Sequence, residues 1–192
     1  MLTCPVTLQL QSDASQEQLE LLLEMVKQTN HIAGDIVEIG SWKCGTSCLM
    51  SIASPCKTVW AFDLFGGLPY GPGVGFENFA DTDWKEIQET TAPYKNLQLV
   101  RGLHELTVPE FAVKCGPLSL IFLDSDHYSS HRVTLTYLAP LLSPEGMIVF
   151  HDWTFSDVQK AVSDALPIDE YEMLNRPEMH HMGVLRKRVP SI

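Results

Sequence analysis

Acids and histidines in this sequence stand at the ends of apolar runs, and that placement is its first chemical signal. Glu38 lies inside Ile36-Val37-Glu38-Ile39 just ahead of Gly40, and Asp63 closes Val59-Trp60-Ala61-Phe62. Asp124-Ser125-Asp126-His127 follows Leu118 to Leu123, and His151-Asp152 follows Met147-Ile148-Val149-Phe150. Carboxylates and imidazoles are the groups that move protons near neutral pH, accept hydrogen bonds from sugar hydroxyls and ligate cations. Each has an ordinary structural use: Asp63 can cap a turn, Asp126 can be a first-turn acid of the next helix, and His151 can be a satisfied core histidine. Four such coincidences at strand ends point instead to one crevice, because ligands of an open parallel sheet bind outside the carboxyl ends of its strands.

The stretch from Asp35 to Ser47 organises these residues. A short apolar strand breaks at Gly40, and a second glycine, Gly45, precedes a helix opening near Thr46. Glycine lets backbone approach a ligand closely, and a helix start presents unpaired N–H groups with a positive dipole end. Glu38, Gly40, Ser41, Gly45, Thr46 and Ser47 therefore form a candidate cofactor cradle, although an ordinary strand-to-helix turn has the same glycine spacing. An acid at the end of the second strand, Asp63, is placed to accept both hydroxyls of a ribose. Neighbouring parallel strands lie ~4.8 Å apart, so Asp124 and Asp152 can converge on one small hard cation. His151 and Asp152 point to opposite faces in regular strand geometry, so both ligate only if the backbone turns there. A metal held by Asp124, His151 and Asp152 would act as a Lewis acid on a hydroxyl.

The elements that must position these groups alternate in type. Ser15 and Gln18 make a capping box ahead of a helix with Leu19, Leu22, Leu23 and Val26 on one face, ending near His31 and Gly34. After the cradle helix, to about Ser54, come a strand at Thr58 to Phe62, a short helix at Asp83 to Thr90 and a strand at Leu97 to Val100. Thr107 to Val113 is at best a brief helix. A strand at Leu118 to Leu123, a helix from Ser129 to Leu142, the turn Ser143-Pro144-Glu145-Gly146 and a strand at Met147 to Phe150 follow. A helix capped by Ser156 runs to Leu166, and Tyr171 to Leu174 pairs with His181 to Arg186 as a closing hairpin. Strands alternating with helices predict a doubly wound, mostly parallel α/β sheet. Between Gly66 and Gly75, five glycines and two prolines exclude a helix or a central strand, so 66–82 reads as a lid loop.

The 192 residues, 45% hydrophobic, support one core, and 1–192 reads as a single domain in which 1–33 form an N-terminal arm and helix. Thirteen Lys and Arg against 24 Asp and Glu give a net charge of -11, which disfavours nucleic acid as a partner. Five cysteines form no C-x-x-C pair and suit free thiols in a reducing compartment. No apolar run reaches the ~20 residues that span a bilayer, so a cytoplasmic protein with no membrane partner is expected. A small molecule is the expected partner, and a homodimer is left open.

Glu38-Ile39-Gly40-Ser41-Trp42-Lys43-Cys44-Gly45-Thr46-Ser47, Asp63-Leu64-Phe65-Gly66-Gly67-Leu68-Pro69, Asp124-Ser125-Asp126-His127-Tyr128, Ser143-Pro144-Glu145-Gly146 and His151-Asp152-Trp153 together resemble the class I S-adenosylmethionine-dependent methyltransferases. The nearest group is the macrocin-type antibiotic sugar O-methyltransferases and their small-molecule relatives, and the resemblance spans Gly34 to Trp153. It implies a Rossmann-like, seven-stranded sheet whose first loop holds the methionine part of the cofactor. It also implies Asp63 at the ribose hydroxyls with Leu64 among the cofactor-binding residues, the Arg101-Gly102-Leu103 turn bordering the adenine, and Asp124 near both cofactor and metal. Cys44 stands where many members carry a second close-approach glycine. His151 replaces a first Asp, so beside magnesium the imidazole also suits manganese, iron or zinc.

The activity implied is transfer of a methyl group from S-adenosylmethionine to a hydroxyl of a small molecule, with Asp126, His127 and His151 as the available bases. A sulfonium methyl is already activated, so catalysis needs in-line positioning and proton removal more than a covalent intermediate. Two other classes remain: a cofactor-binding module or partner subunit without transfer activity, and a nucleotide-dependent oxidoreductase. The second lacks G-x-G-x-x-G, since Gly40 to Gly45 reads G-x-x-x-x-G.

Overall fold

A computed structural model of the protein describes residues 11–66, 82–125, 127–174 and 181–189. Helices and strands alternate as α1 (Gln16–Thr29), β1 (Asp35–Ile39), α2 (Gly45–Ala53), β2 (Val59–Asp63), α3 (Trp84–Thr91), β3 (Leu97–Arg101), α4 (His104–Ala112) and β4 (Leu118–Leu123). They continue with α5 (Tyr128–Leu138), β5 (Leu142–Phe150), α6 (Ser156–Ala165), β6 (Tyr171–Met173) and β7 (Gly183–Lys187). The seven strands form one sheet in the order β3-β2-β1-β4-β5-β7-β6. The first five are parallel; β7 runs antiparallel to both β5 and β6, which is the expected closing hairpin with its second strand inserted inward. The Rossmann-like, doubly wound sheet is thus as expected, with a strand reversal between β1 and β4 that opens a crevice at their carboxyl ends.

Period-two alternation decides which layer each strand residue feeds. Ile36, Leu120, Phe122 and Val149 pack with Leu22, Met25 and Val26 of α1 and with Cys48 and Met50 of α2. Val37, Ile39, Ile121, Leu123, Ile148 and Phe150 pack on the other face with Val108 of α4, Leu135 and Leu138 of α5 and Val158 of α6. The central strands are buried on both faces, as a parallel sheet requires. Both layers therefore cover the sheet and leave its C-terminal edge to do chemistry.

Two helices start where their polar caps place them. Ser15 and Gln18 close the capping box of α1, and Asp83 caps α3 through the Lys85 and Glu86 amides. Four boundaries differ. The brief helix expected at Thr107 to Val113 is a nine-residue helix starting at His104; Leu103 offers no side-chain cap and Pro109 sits inside, so the sequence carries no start signal. The helix expected to reach Leu142 stops at Leu138 and tightens into a 3₁₀ turn over Ala139–Leu141, where Pro140 cannot continue the α-helical ladder. Ser143 to Gly146 is a bulge within β5 rather than a separate turn: pairing jumps from Leu118↔Leu142 to Leu120↔Met147, and Glu145 takes φ 65°. Ser156 is the first residue of α6 rather than its cap; Phe155 holds the cap position without a side-chain hydrogen bond. Residues 67–81 of the expected lid loop, residues 1–10 of the expected arm and Asp126 lie outside the described residues.

Candidate functional site

The cradle is built by backbone strain at the end of β1. Gly40 has φ +91°, and a Cβ there would lie 2.3 Å from the Asp124 carbonyl oxygen, so glycine is needed for β1 to pass the end of β4. Trp42 and Cys44 then take positive φ values of 43° and 60°, a left-handed path that costs non-glycine residues energy and persists where surrounding contacts enforce it. Cys44 thus adopts the conformation a glycine would supply. Two bonds hold the path: the Gly40 amide donates to the Phe62 carbonyl at 2.9 Å, and the Trp42 amide to Asp63 Oδ2 at 2.9 Å.

The cradle residues face different ways. Glu38 and Ser41 are buried, and the Ser41 hydroxyl acts on the Glu38 carboxyl to oppose the rise in its pKa. Ser47 donates its hydroxyl hydrogen to Glu38 Oε2 from below. Gly45 lies under the N-terminal arm, where a Cβ would meet the Gln11 carbonyl oxygen at 2.2 Å, and Thr46 Oγ1 is 2.9 Å from Ser12 Oγ. Close approach at Gly45 is therefore to this chain's own arm, which spacing alone could not reveal. The Cys44 and Cys48 thiols beside the cradle are buried and free, both pushed up by burial, Cys48 to about 12, and so stay protonated.

Burial also raises Glu38 to about 8, opposed by the Ser47 hydrogen bond and reinforced by the charges of Asp124 and Asp63. A carboxyl whose folded pKa lies above its unfolded one contributes stability in full below pH ~4.5 and loses it as pH rises through ~8. Glu38→Gln, which keeps the shape without the charge, should remove that decline. Denaturant midpoints at pH 5 and pH 9 check this: the wild type is expected to lose stability between them through this group, and the variant to keep it.

At the next strand end Asp63 accepts from the Trp42 amide and, through Oδ1, from the Phe65 amide at 3.0 Å. The Leu64 carbonyl accepts from Arg101 Nε at 3.2 Å, and the Gly102 amide donates to the Asp63 carbonyl at 3.0 Å. Asp63, Leu64, Gly102 and Leu103 thus share one corner of the crevice, where β2 and β3 end together.

Asp124 and Asp152 meet from adjacent strand ends. The backbone leaves β5 after Phe150, so His151 and Asp152 turn toward one point despite being consecutive. His151 Nδ1 lies 3.0 Å from Asp124 Oδ1 and 3.0 Å from Asp152 Oδ2. Burial acts to lower the pKa of His151, but hydrogen bonds and charge from the two carboxylates prevail and hold it at about 10. One ligand atom from each of the three side chains lies within 4.8 Å of the others. Two carboxylate oxygens and an imidazole nitrogen are a donor set that fits a divalent cation, with the imidazolium proton supplying the positive charge between the carboxylates otherwise.

His127 takes the N-cap position of α5 and acts electrostatically on His104 and His131. His131 hydrogen-bonds through Nε2 to the Ser125 carbonyl, stacks on Phe150, and is held neutral by burial with its pKa down at about 4. Motif and spacing give His104, Ser125, Ser130 and His131 no role in advance. The usable signal is position: His104 follows Gly102-Leu103 at a strand end, and His131 lies one helical turn after His127.

Residues 10–171 match the macrocin O-methyltransferase (TylF) family. A Streptomyces olivaceus protein, 8-demethyl-8-(2,3-dimethoxy-alpha-L-rhamnosyl)-tetracenomycin-C 4'-O-methyltransferase, is 27% identical over 156 residues, covering 69% of this chain and 58% of that protein. A Streptomyces niveus protein, demethyldecarbamoylnovobiocin O-methyltransferase, is 27% identical over 165 residues, covering 74% of this chain and 59% of that protein. The chain therefore spans under two thirds of the length of these curated relatives. The solved structure of the O-methyltransferase NovP superposes with a TM-score of 0.74 at 22% identity, covering 90% of this chain and 80% of that one.

Proposed function

The chain belongs to the macrocin O-methyltransferase (TylF) family, and from that premise we propose that it transfers the methyl group of S-adenosylmethionine to a hydroxyl of a small molecule. The observation that carries this reading is the convergence of Asp124, His151 and Asp152 at the edge that also carries the buried Glu38 and Ser41 of the cradle. In the transfer the acceptor oxygen forms its bond to the methyl carbon as the carbon–sulfur bond breaks. The acceptor proton leaves, and S-adenosylhomocysteine is the other product. Glu38, Gly40 and Ser41 bind the amino-acid arm of the cofactor, with Gly45, Thr46 and Ser47 shaping the cradle from beneath. Asp63 holds the ribose with Leu64 beside it, the Arg101-Gly102-Leu103 turn borders the base, and Asp124 stands near both cofactor and metal.

Asp124, His151 and Asp152 would hold a divalent cation, magnesium first, with manganese, iron or zinc as alternatives. Bound there, a cation supplies Lewis acidity that lowers the pKa of an acceptor hydroxyl. For the proton itself the chain offers Asp126, His127 and His151. His151 as arranged between two carboxylates is an imidazolium, so its proton must leave before it can serve as a base. The acceptor class follows from the first relative, named for a rhamnosyl tetracenomycin: a hydroxyl on a sugar or glycosylated natural product. Among the described residues no helix is long and apolar enough to cross a membrane, which fits a diffusible acceptor.

A second reading is a cofactor-binding module or partner subunit without transfer activity, since a fold does not by itself entail a reaction. Purified protein, methyl-labelled S-adenosylmethionine and a panel of glycosylated acceptors separate the two, with label expected in an acceptor. Binding of S-adenosylhomocysteine without any transfer supports the module, and no binding by calorimetry rejects both. Asp63→Ala should weaken that binding about ten- to a hundredfold, the cost of losing hydrogen bonds to a charged acceptor. An affinity within twofold of the wild type would remove Asp63 from the ribose site.

A further inference from the structure

Regular pairing of β4 with β5 ends at Leu123↔Phe150, and the His151 amide gives a last bond to the Leu123 carbonyl at 2.9 Å. Asp124, His151 and Asp152 all follow that point, where the ladder no longer sets their separation. Two carboxylates turned toward one point repel each other unless positive charge lies between them. A cation site nevertheless needs its ligands within about 0.5 Å of their places.

One buried side chain touches both segments. His131, in the first turn of α5, is 1% exposed. Its Nε2 meets the carbonyl of Ser125, the residue after Asp124. Its ring stacks on Phe150, the residue before His151, with centroids 6.2 Å apart and planes inclined by 22°. A carbonyl oxygen only accepts, so the proton of the neutral imidazole sits on Nε2. Burial holds the pKa of His131 down at about 4, so the donor keeps this form through neutral pH.

The two partners of His131 are themselves held. Ser125 donates its hydroxyl hydrogen at 2.9 Å to Ser130 Oγ, on the same helix as His131. Phe150 packs in turn on Trp153, with 5.3 Å between ring centroids, and Trp153 lies against Gly183 of β7, where an added Cβ would stand 2.6 Å from its ring. Phe150 and Trp153 thus bracket His151-Asp152 in the chain, and the aromatic contacts that fix them continue to His131. We propose that His131 is a positioning residue for the cation site: its N–H anchors the segment that carries Asp124, its ring anchors the segment that carries His151 and Asp152, and attachment of both to one rigid ring sets the spacing of the three ligand atoms. This rests on the divalent-cation reading of the triad given above. Groups that orient ligands without touching the ion change metal affinity by about 10–100-fold when replaced, whereas a histidine that only fills the core leaves that affinity alone.

The test is calorimetric titration of the full chain with magnesium and with manganese, scoring the binding that Asp124→Asn removes. His131→Phe keeps a ring against Phe150 and loses the donor, and it should bind either cation about 10–100-fold more weakly than the wild type while a denaturant transition shows it folded. His131→Gln keeps an N–H at the reach of Nε2 and should recover at least part of that loss. His131→Asn, whose amide is one carbon shorter and stops short of the Ser125 carbonyl, should bind as weakly as His131→Phe and takes its place if that variant does not fold. Cation affinity within about twofold of the wild type in the folded donor-less variants, or His131→Gln binding no better than they do, would overturn the assignment. A wild type that binds neither cation would instead overturn the cation reading of the triad, and the assignment with it.

Discussion

Asp124→Asn is expected to cut methyl transfer by about 10²–10⁴-fold in a protein that still folds. Asn keeps the volume at the end of β4 but removes one of the two carboxylates that His151 Nδ1 contacts at 3.0 Å. Cation binding at the triad should fall with it, since two carboxylates and an imidazole become one carboxylate and an imidazole. Titration with magnesium and manganese, run beside the activity assay, reads both effects. A variant that keeps a tenth or more of wild-type turnover would take Asp124 out of the chemistry.

His151 then discriminates between two ways of activating the acceptor. If it is a ligand, His151→Ala weakens the cation and shifts preference toward magnesium, because the lost donor is the one that suits softer metals. If it is the base, cation affinity stays and turnover alone falls, again by about 10²–10⁴-fold. Chelator-treated wild type, assayed with and without added cations, completes the comparison. Full transfer without any divalent ion would leave Asp124 and Asp152 as groups that position the acceptor and hold the His151 proton.

The largest effect on folding is expected from Gly40→Ala. The new methyl would stand 2.3 Å from the Asp124 carbonyl oxygen at a φ of +91°, so both the backbone conformation and the packing of β1 on the end of β4 oppose it. A loss of roughly 3 kcal/mol or more is expected, because the obstacle is backbone and not the movable end of a side chain. Cofactor affinity should fall too, as Gly40 and Ser41 both donate to the Phe62 carbonyl and any shift moves the cradle. Gly116→Ala is the control: its added methyl would meet no atom within 4 Å, and its stability should stay within ~0.5 kcal/mol of wild type. Equal denaturant midpoints for the two variants would mean that the close approach at Gly40 is not tight.

Much of this arrangement is written locally. Apolar runs of strand length, the Ser15–Gln18 capping box and the glycine break at Gly40 are short-range patterns, and each fixes an element through its own backbone and nearest neighbours. The acids at strand ends were legible for the same reason, since a strand that stops at a polar residue delivers it to the edge whatever its neighbours are. Helix α4 was nearly invisible because Leu103 gives no cap and Pro109 interrupts the pattern, leaving its packing against the sheet and α5 to stabilise it. Strand order was beyond local pattern: only the folded sheet places β7 between β5 and β6, and only the turn after Phe150 lets His151 and Asp152 face Asp124 together. The same holds for Gly45, whose bare Cα serves the Gln11 carbonyl of the arm, and for His104 of α4, which meets Ser130 of α5, itself bonded to Ser125. Sequence thus determined the elements and the chemical types at their ends, because those depend on residues a few positions apart. Tertiary structure decided which of them meet, because contact between residues tens of positions apart depends on how the strands are ordered and what the helices pack against.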